Sequence, residues 1–183
     1  MGFQELEGVH NRTNFDLTRH SEYSGKDQSY LEDGTNRKYI PYIIETSAGL
    51  TRTVLTVLSD AYEEQAVEGE DSRVVLHFHP AVAPIKVAVF PLVKKDGLAE
   101  MAQEIEKNLR EDFTTYYDQG GAIGRRYRRQ DEIGTPYCIT VDYDTKENGT
   151  VTIRFRDSME QKRIRIEDIP AVIRQADKDY KRV

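Results

Sequence analysis

The segment that most restricts the fold is Lys86 to Leu92, a short apolar run flanked by prolines and followed at once by a helical pattern. A run of that length between chain breakers is too short for a core helix and suits a buried strand. Beyond it, Asp96 is placed to cap a helix whose apolar face is Leu98, Met101, Ala102, Ile105 and Leu109. That spacing puts all five side chains on one helix side. Phe113 to Asp118, rich in aromatic and threonine residues, predicts a second strand. Strand, helix and strand in succession call for a sheet covered by helices.

Later segments extend the pattern. Tyr137, Ile139, Val141 and Tyr143 alternate with Cys138, Thr140 and Asp142, and Val151, Ile153 and Phe155 repeat the alternation. Asn148-Gly149 between them predicts a hairpin turn. Lys162 to Ile166 predicts a third antiparallel strand. A closing helix is expected with Pro170 in its first turn and Ile169, Val172, Ile173 and Ala176 on one face. The prediction is an α/β domain over 74–183, a mixed sheet flanked by helices. Residues 1–68 form a separate, motif-like part, and the acidic stretch Glu63 to Arg73 reads as a connector. Neither an internal repeat nor a low-complexity segment is found.

Within 183 residues, 38% are hydrophobic and 32% charged, as in a soluble globular protein. No apolar run approaches the ~20 residues of a membrane span, and no signal peptide opens the chain. Cys138 is the only cysteine, which excludes an intrachain disulfide or a thiolate metal cluster. The expectation is a cytoplasmic protein without a membrane partner. The net charge of -6 argues against indiscriminate polyanion binding, so any nucleic-acid contact must be local.

One such place exists. Gly124 to Pro136 holds Arg125, Arg126, Arg128 and Arg129 around Tyr127, with Asp131 and Glu132 directly after. It is predicted as a short helix or loop ended by Gly134 and Pro136. Arginine offers a planar fork for phosphates and base edges, and tyrosine a face for a base. The residues alone leave two readings open: contact with RNA, or a solvated helix face paired with Asp131 and Glu132. Tyr127 is equally suited to core packing. Asp131 and Glu132 either order the arginines or accept from a cytosine amino group. Lys94 and Lys95 are candidates for backbone contact or for a solvated loop.

Other candidates are weaker. His77 and His79 would face one side of a strand, but two histidines without a third ligand do not make a metal site, and no metal is expected. Cys138 reads as a buried small apolar residue. Asp142 and Asp144 read as a strand end entering a polar turn.

Four segments carry a family resemblance: Ala83 to Leu92, Gly124 to Pro136, Val141-Asp142-Tyr143-Asp144-Thr145, and Arg156-Asp157-Ser158-Met159-Glu160-Gln161. Together they span nearly all of 74–183. This region resembles the C-terminal anticodon-binding domain of glycyl-tRNA synthetases of the homodimeric class II type. The wider domain type is shared with threonyl, prolyl and histidyl synthetases, so fold alone would not identify the amino acid.

The first part is similar to catalytic-core segments of the same family. Glu5 to Gly8, Asn11 to Leu17 and His20 to Asp27 carry that likeness, and Glu45-Thr46-Ser47-Ala48-Gly49-Leu50-Thr51-Arg52 resembles motif 3 in its glycyl form. The resemblance implies that Arg52 binds ATP phosphate, and that Glu5, Glu45 and Ser47 hold the glycine ammonium. It also implies anticodon binding by Arg125, Arg126, Tyr127, Arg128, Arg129, Asp131 and Glu132. Glycine has no side chain to grip, so carboxylates and hydroxyls must fix its ammonium. Thr46 stands where the family usually has proline, and Thr51 and Thr53 also depart from its pattern.

Motif 1, which builds the dimer interface, and motif 2, whose arginine holds the ATP α-phosphate, are not found. About sixty residues cannot hold a complete catalytic domain. Residues 1–68 are therefore expected to be a partial antiparallel catalytic-core segment with an exposed apolar face, and no catalytic site is complete. The expected role is the C-terminal part of a glycine-tRNA ligase, binding the anticodon of glycine tRNA. Glycine, ATP, Mg and homodimerisation belong to the full-length enzyme, and no cofactor is expected on this chain alone. The alternative is a free-standing synthetase-like accessory or protein-interaction module.

Overall fold

A computed structural model describes residues 3–66 and 72–181. The chain divides into two compact units, Met1–Thr56 and Val57–Val183.

The first unit is built on β1 (Glu7–Thr13), α1 (Phe15–Ser24), the two-residue strands β2 (Tyr30–Leu31) and β3 (Lys38–Tyr39), and β4 (Ile43–Ala48). β1 and β4 form an antiparallel pair, with Gly8 opposite Ser47 and His10 opposite Glu45. Helix α2 (Leu50–Ala61) follows and runs across the unit boundary. Its apolar residues Leu50, Val54, Leu55 and Leu58 are exposed, as are Val9 and Ile44 on the strands. A two-stranded sheet cannot bury a helix face of that width. This is the exposed apolar face that the sequence leads one to expect.

After the end of α2 the second unit continues with a hairpin, β5 (Tyr62–Gln65) paired antiparallel with β6 (Arg73–Leu76). The ends of the acidic stretch Glu63 to Arg73 are therefore strand, not connector; residues 67–71 of it lie outside the described residues. The expected boundary at 68 falls there too. β7 (Val87–Pro91), α3 (Leu98–Leu109), β8 (Thr115–Tyr117), α4 (Ile123–Ile133) and β9 (Tyr137–Val141) follow. Then come α5 (Tyr143–Asn148), β10 (Thr150–Phe155), β11 (Gln161–Arg165), a single 3₁₀ turn and α6 (Ile169–Asp179).

The sheet order is β11-β10-β9-β7-β8. β7 is parallel to β8 and β9, while β10 is antiparallel to β9 and β11, which makes the sheet mixed as expected. Strand alternation assigns the two faces. Val87, Val89, Ile139, Val141, Val151 and Ile153 join Leu98, Ala102, Ile105 and Leu109 of α3 and Ile169 and Ile173 of α6 in one core. Ala88, Phe90 and Cys138 point the other way, against Ile123 and Tyr127 of α4. Asp177 anchors α6 by accepting from Lys86 (2.9 Å) and from the Tyr137 hydroxyl (2.8 Å).

Two local expectations fail for identifiable reasons. Asp96 does not cap α3. It has a positive φ of 61°, Gly97 follows at 80°, and the Asp96 carboxylate accepts from the Tyr143 hydroxyl instead. Asn148-Gly149 is not a two-residue hairpin. Asp142 and Thr145 form a reciprocal capping box that nucleates α5, and Gly149 in the left-handed region ends that helix. Among the described residues no helix is long and apolar enough to cross a membrane.

Candidate nucleic-acid interface

The chain passes from β7 through α3 to β8, then crosses back over β7 through α4 to β9. The strand order therefore reverses beside β7, and the carboxyl ends of β7, β8 and β9 open at one edge. Open α/β sheets characteristically bind ligands at such an edge. It carries the loop 92–97 with exposed Lys94 and Lys95, the turn 118–122, and the start of α5.

Helix α4 starts after a turn in which Gly121 takes a φ of 76°, and it ends at Gly134 with a φ of 80°. The Gly134 amide donates to the Asp131 carbonyl at 3.2 Å. Ile123 and Tyr127 pack on the sheet, so helical spacing turns Arg126, Gln130 and Asp131 inward as well. Arg125, Arg129 and Glu132 face outward and Arg128 is half-buried. The arginine cluster is thus divided by the helix it forms.

Its inward members are held by partners inside the domain. Asp131 is 1% exposed and accepts from Arg73 (2.9 Å) and, through both oxygens, from Arg154 (2.8 and 3.0 Å). Burial opposes the charge on Arg154, but the bonds and field of Asp131 outweigh it and raise the guanidinium above its ordinary pKa. Arg126 is 2% exposed and donates to the carbonyls of Pro91 (2.5 Å) and Leu92 (3.3 Å). Tyr127 lies between Phe90, at 5.7 Å edge to face, and Arg154, whose guanidinium carbon is 4.9 Å from the ring centroid. Its hydroxyl is 2.6 Å from the Thr140 hydroxyl. Burial, only partly relieved by that bond, pushes the Tyr127 phenol up. Of the seven residues that the resemblance implies for the anticodon, Arg126 and Asp131 are thus buried, Tyr127 is half-buried against the sheet, and Arg125, Arg129 and Glu132 are exposed.

Of the outward members, Arg129 is held from the turn before the helix. Arg129 donates to the Asp118 carboxylate (2.5 Å) and to the Gly120 carbonyl (2.7 Å). Burial works against the Asp118 charge, yet the Gly120 amide and Arg129, with Arg126 nearby, hold its pKa below the ordinary range.

Tyr143 lies on the same edge, off the strand on which the alternation placed it. It is 48% exposed at the start of α5, and its hydroxyl is bound to Asp96 at 2.9 Å while Lys146 donates to the Asp96 carbonyl. The Asp142–Thr145 capping spacing was the available signal, since it moves Tyr143 off the strand. Asp142 and Asp144 both meet Arg163, Asp142 through two bonds.

The remaining candidates separate. His77 leaves the strand pattern after Leu76. Its Nδ1 is 2.6 Å from Asp157 and its Nε2 2.9 Å from Glu63, while His79 packs edge-on against Tyr180. Among the described residues no three His, Cys, Asp or Glu side chains are arranged to hold a metal ion. Cys138 is buried, and burial pushes its thiol far up. In the first unit, Glu45 and Ser47 share one side of β4, Glu45 lies 3.4 Å from Arg12, and Arg52 donates to the backbone carbonyl of Glu5 at 2.7 Å. Glu5, Ser47 and Arg52 are exposed.

Residues 86–176 match the family model described as the anticodon binding domain. The chain is 65% identical to a glycine--tRNA ligase of Treponema denticola, covering 100% of this chain and 42% of the relative. It is 54% identical to one of Borrelia hermsii (100% and 41%) and 55% identical to one of Clostridium kluyveri (95% and 37%). It spans about two fifths of the length of these curated relatives. The chain belongs to the glycine--tRNA ligase family over that share, with residues 86–176 as its anticodon binding domain.

Proposed function

We propose that this chain binds the anticodon of glycine tRNA at the carboxyl edge of the mixed sheet, as the reading part of an enzyme that attaches glycine in the cytoplasm. The observation that carries the proposal is the outward half of α4, a local basic surface on a chain of net charge -6. Arg125, Arg128 and Arg129 supply charge and forked donors to phosphates or base edges. Glu132 is the carboxylate that can reach a cytosine amino group. Tyr143 replaces Tyr127 as the stacking face, and Lys94 and Lys95 extend the charge along the loop.

Residues 1–68 are the proposed catalytic-core portion and 74–183 the reading domain. In the complete, homodimeric enzyme Glu45 and Ser47, with Glu5, hold the glycine ammonium, and Arg52 meets ATP phosphate. Magnesium supplies charge neutralisation at the phosphates when bound. The present chain, lacking motifs 1 and 2, forms no glycyl-adenylate by itself, and pyrophosphate exchange from it would overturn that statement.

Affinity for glycine tRNA and for the same tRNA with altered anticodon bases, measured at several salt concentrations, tests the reading. Preference for the intact anticodon that persists at moderate salt supports it. Equal affinity that vanishes with salt reduces the surface to indiscriminate phosphate contact. No binding at all favours an accessory role.

A further inference from the structure

Among the described residues, Arg126 is the member of the arginine cluster that is deeply buried and makes no hydrogen bond to a carboxylate. Among the described residues its acceptors are all backbone carbonyls: Pro91 at 2.5 Å, Leu92 at 3.3 Å and, as a long contact, Asp118 at 3.5 Å. Its Nε is buried without any hydrogen-bond partner. Its guanidinium carbon lies 5.8 Å from the Phe90 ring centroid. Desolvation lowers its pKa, against the smaller opposing effect of Asp118.

A buried cation that makes no ion pair is a poor device for stability, since the field of Asp118 repays only part of its desolvation. A methionine or leucine would fill the same space. What an apolar side chain could not do is join two strand ends to a helix. Pro91 and Leu92 close β7, and Asp118 follows β8, while Arg126 itself stands in the first half of α4. Each anchored carbonyl opens a segment of the candidate interface. Leu92 leads into the loop with Lys94 and Lys95. Asp118 orients Arg129 and, through its Oδ1, the Gly120 amide at 2.7 Å.

We infer that Arg126 is the positioning residue of the reading edge: it touches no RNA and ties the β7 and β8 ends to α4, so that loop 92–97 and turn 118–122 hold one shape. A planar fork can span several carbonyls at once, and a lysine ammonium at the end of a flexible stem cannot hold the same set. The consequence for recognition rests on the anticodon-binding reading above, whereas the ordering of the two loops does not.

The test uses the full chain with R126K and R126Q. In the absence of tRNA, hydrogen exchange is expected to quicken at 92–97 and 118–121 in both variants, with the strands β7 and β9 unchanged. With glycine tRNA and its altered-anticodon counterpart as probes, discrimination should fall by about ten-fold or more, the scale of one good base contact. The dependence of log Kd on log salt should keep its slope, because no phosphate contact is lost. Unchanged exchange in the two segments overturns the inference, as does unchanged discrimination. A slope reduced by about 0.7 would make Arg126 a direct phosphate ligand and overturn it too. Failure of both variants to fold would assign the residue to stability alone, against the inference. If the unaltered chain shows no discrimination, the anticodon reading fails by itself and the exchange measurement still decides the loop-ordering claim.

Discussion

Arg154 on β10 grips both carboxylate oxygens of Asp131 on α4, at 2.8 and 3.0 Å, inside the domain. Arg73 on β6 completes the site from the hairpin side, at 2.9 Å. One buried carboxylate therefore fastens α4 to the sheet and to the β5–β6 hairpin.

Removing that carboxylate would leave two arginines buried without it. Asp131→Ala is expected to cost about 3–5 kcal/mol of stability, the usual cost of breaking a buried pair. Glu132→Ala, one residue on and exposed, should stay within about 0.5 kcal/mol. Urea denaturation of the full chain measures both. A loss below about 1 kcal/mol for Asp131→Ala would contradict the buried-network account.

The two tyrosines should exchange the roles that their order in sequence implies. Tyr143→Ala is expected to weaken glycine tRNA binding by about 1–3 kcal/mol, the value of one stacked base, with little change in stability. Tyr127→Phe removes the bond to Thr140, should cost about 1 kcal/mol of stability, and should leave RNA affinity intact. Filter binding and thermal denaturation of the same two variants separate the effects. An RNA-binding loss for Tyr127→Phe alone would reverse the assignment.

Arg125 is exposed on the outer face of α4, so its contribution is expected to be electrostatic. Arg125→Ala should reduce the salt slope of tRNA binding by about 0.7 if it neutralises one phosphate of a single-stranded loop. Stability should move by no more than about 0.5 kcal/mol. An unaltered slope with lost anticodon preference would instead make Arg125 a reader of bases.

Acid sensitivity should centre on Asp157. Burial by itself would raise its pKa, but Arg156, through bonds of 2.7 and 2.8 Å, and His77 hold it below the ordinary range. A carboxylate lowered on folding stabilises the protein fully above its unfolded pKa of about 4, and that stability is lost as pH falls through the folded value. Asp157→Asn should therefore flatten the decline of the urea midpoint below about pH 5. Parallel curves for the variant and the unaltered chain would assign acid sensitivity to other carboxylates.

Cys138 should resist alkylation. Its thiol is buried beneath α4 and pushed up by burial, so little thiolate forms at neutral pH. Iodoacetamide labelling is expected only in denaturant, at a rate that follows unfolding. Rapid labelling of the folded chain would show that α4 opens locally.

Much of the fold is legible in the sequence. The apolar run at Lys86 to Leu92, the spaced face from Leu98 to Leu109, the alternation from Tyr137 and Pro170 in the last helix all lie in the expected elements, because each is a local pattern with a local cause. Asp96, Asn148-Gly149 and the Glu63 to Arg73 stretch were misread. At Asp96 a distant partner, Tyr143, took the carboxylate, and in the acidic stretch β6 paired with β5; at Asn148-Gly149 a competing local motif won, the Asp142–Thr145 box that starts α5.

The sequence by itself determined the strands of the mixed sheet, the helices α3 and α6 and the place of the charged surface, since periodicity acts between near neighbours. It grouped Arg125, Arg126, Arg128 and Arg129 as equals. Only the tertiary structure divided them, because Ile123 and Tyr127 commit one side of α4 to the sheet and helical spacing then carries Arg126 and Asp131 inside. Which partner waits there, a strand-end carbonyl for Arg126 or two arginines for Asp131, depends on residues tens of positions away in the chain. No local pattern records that distance.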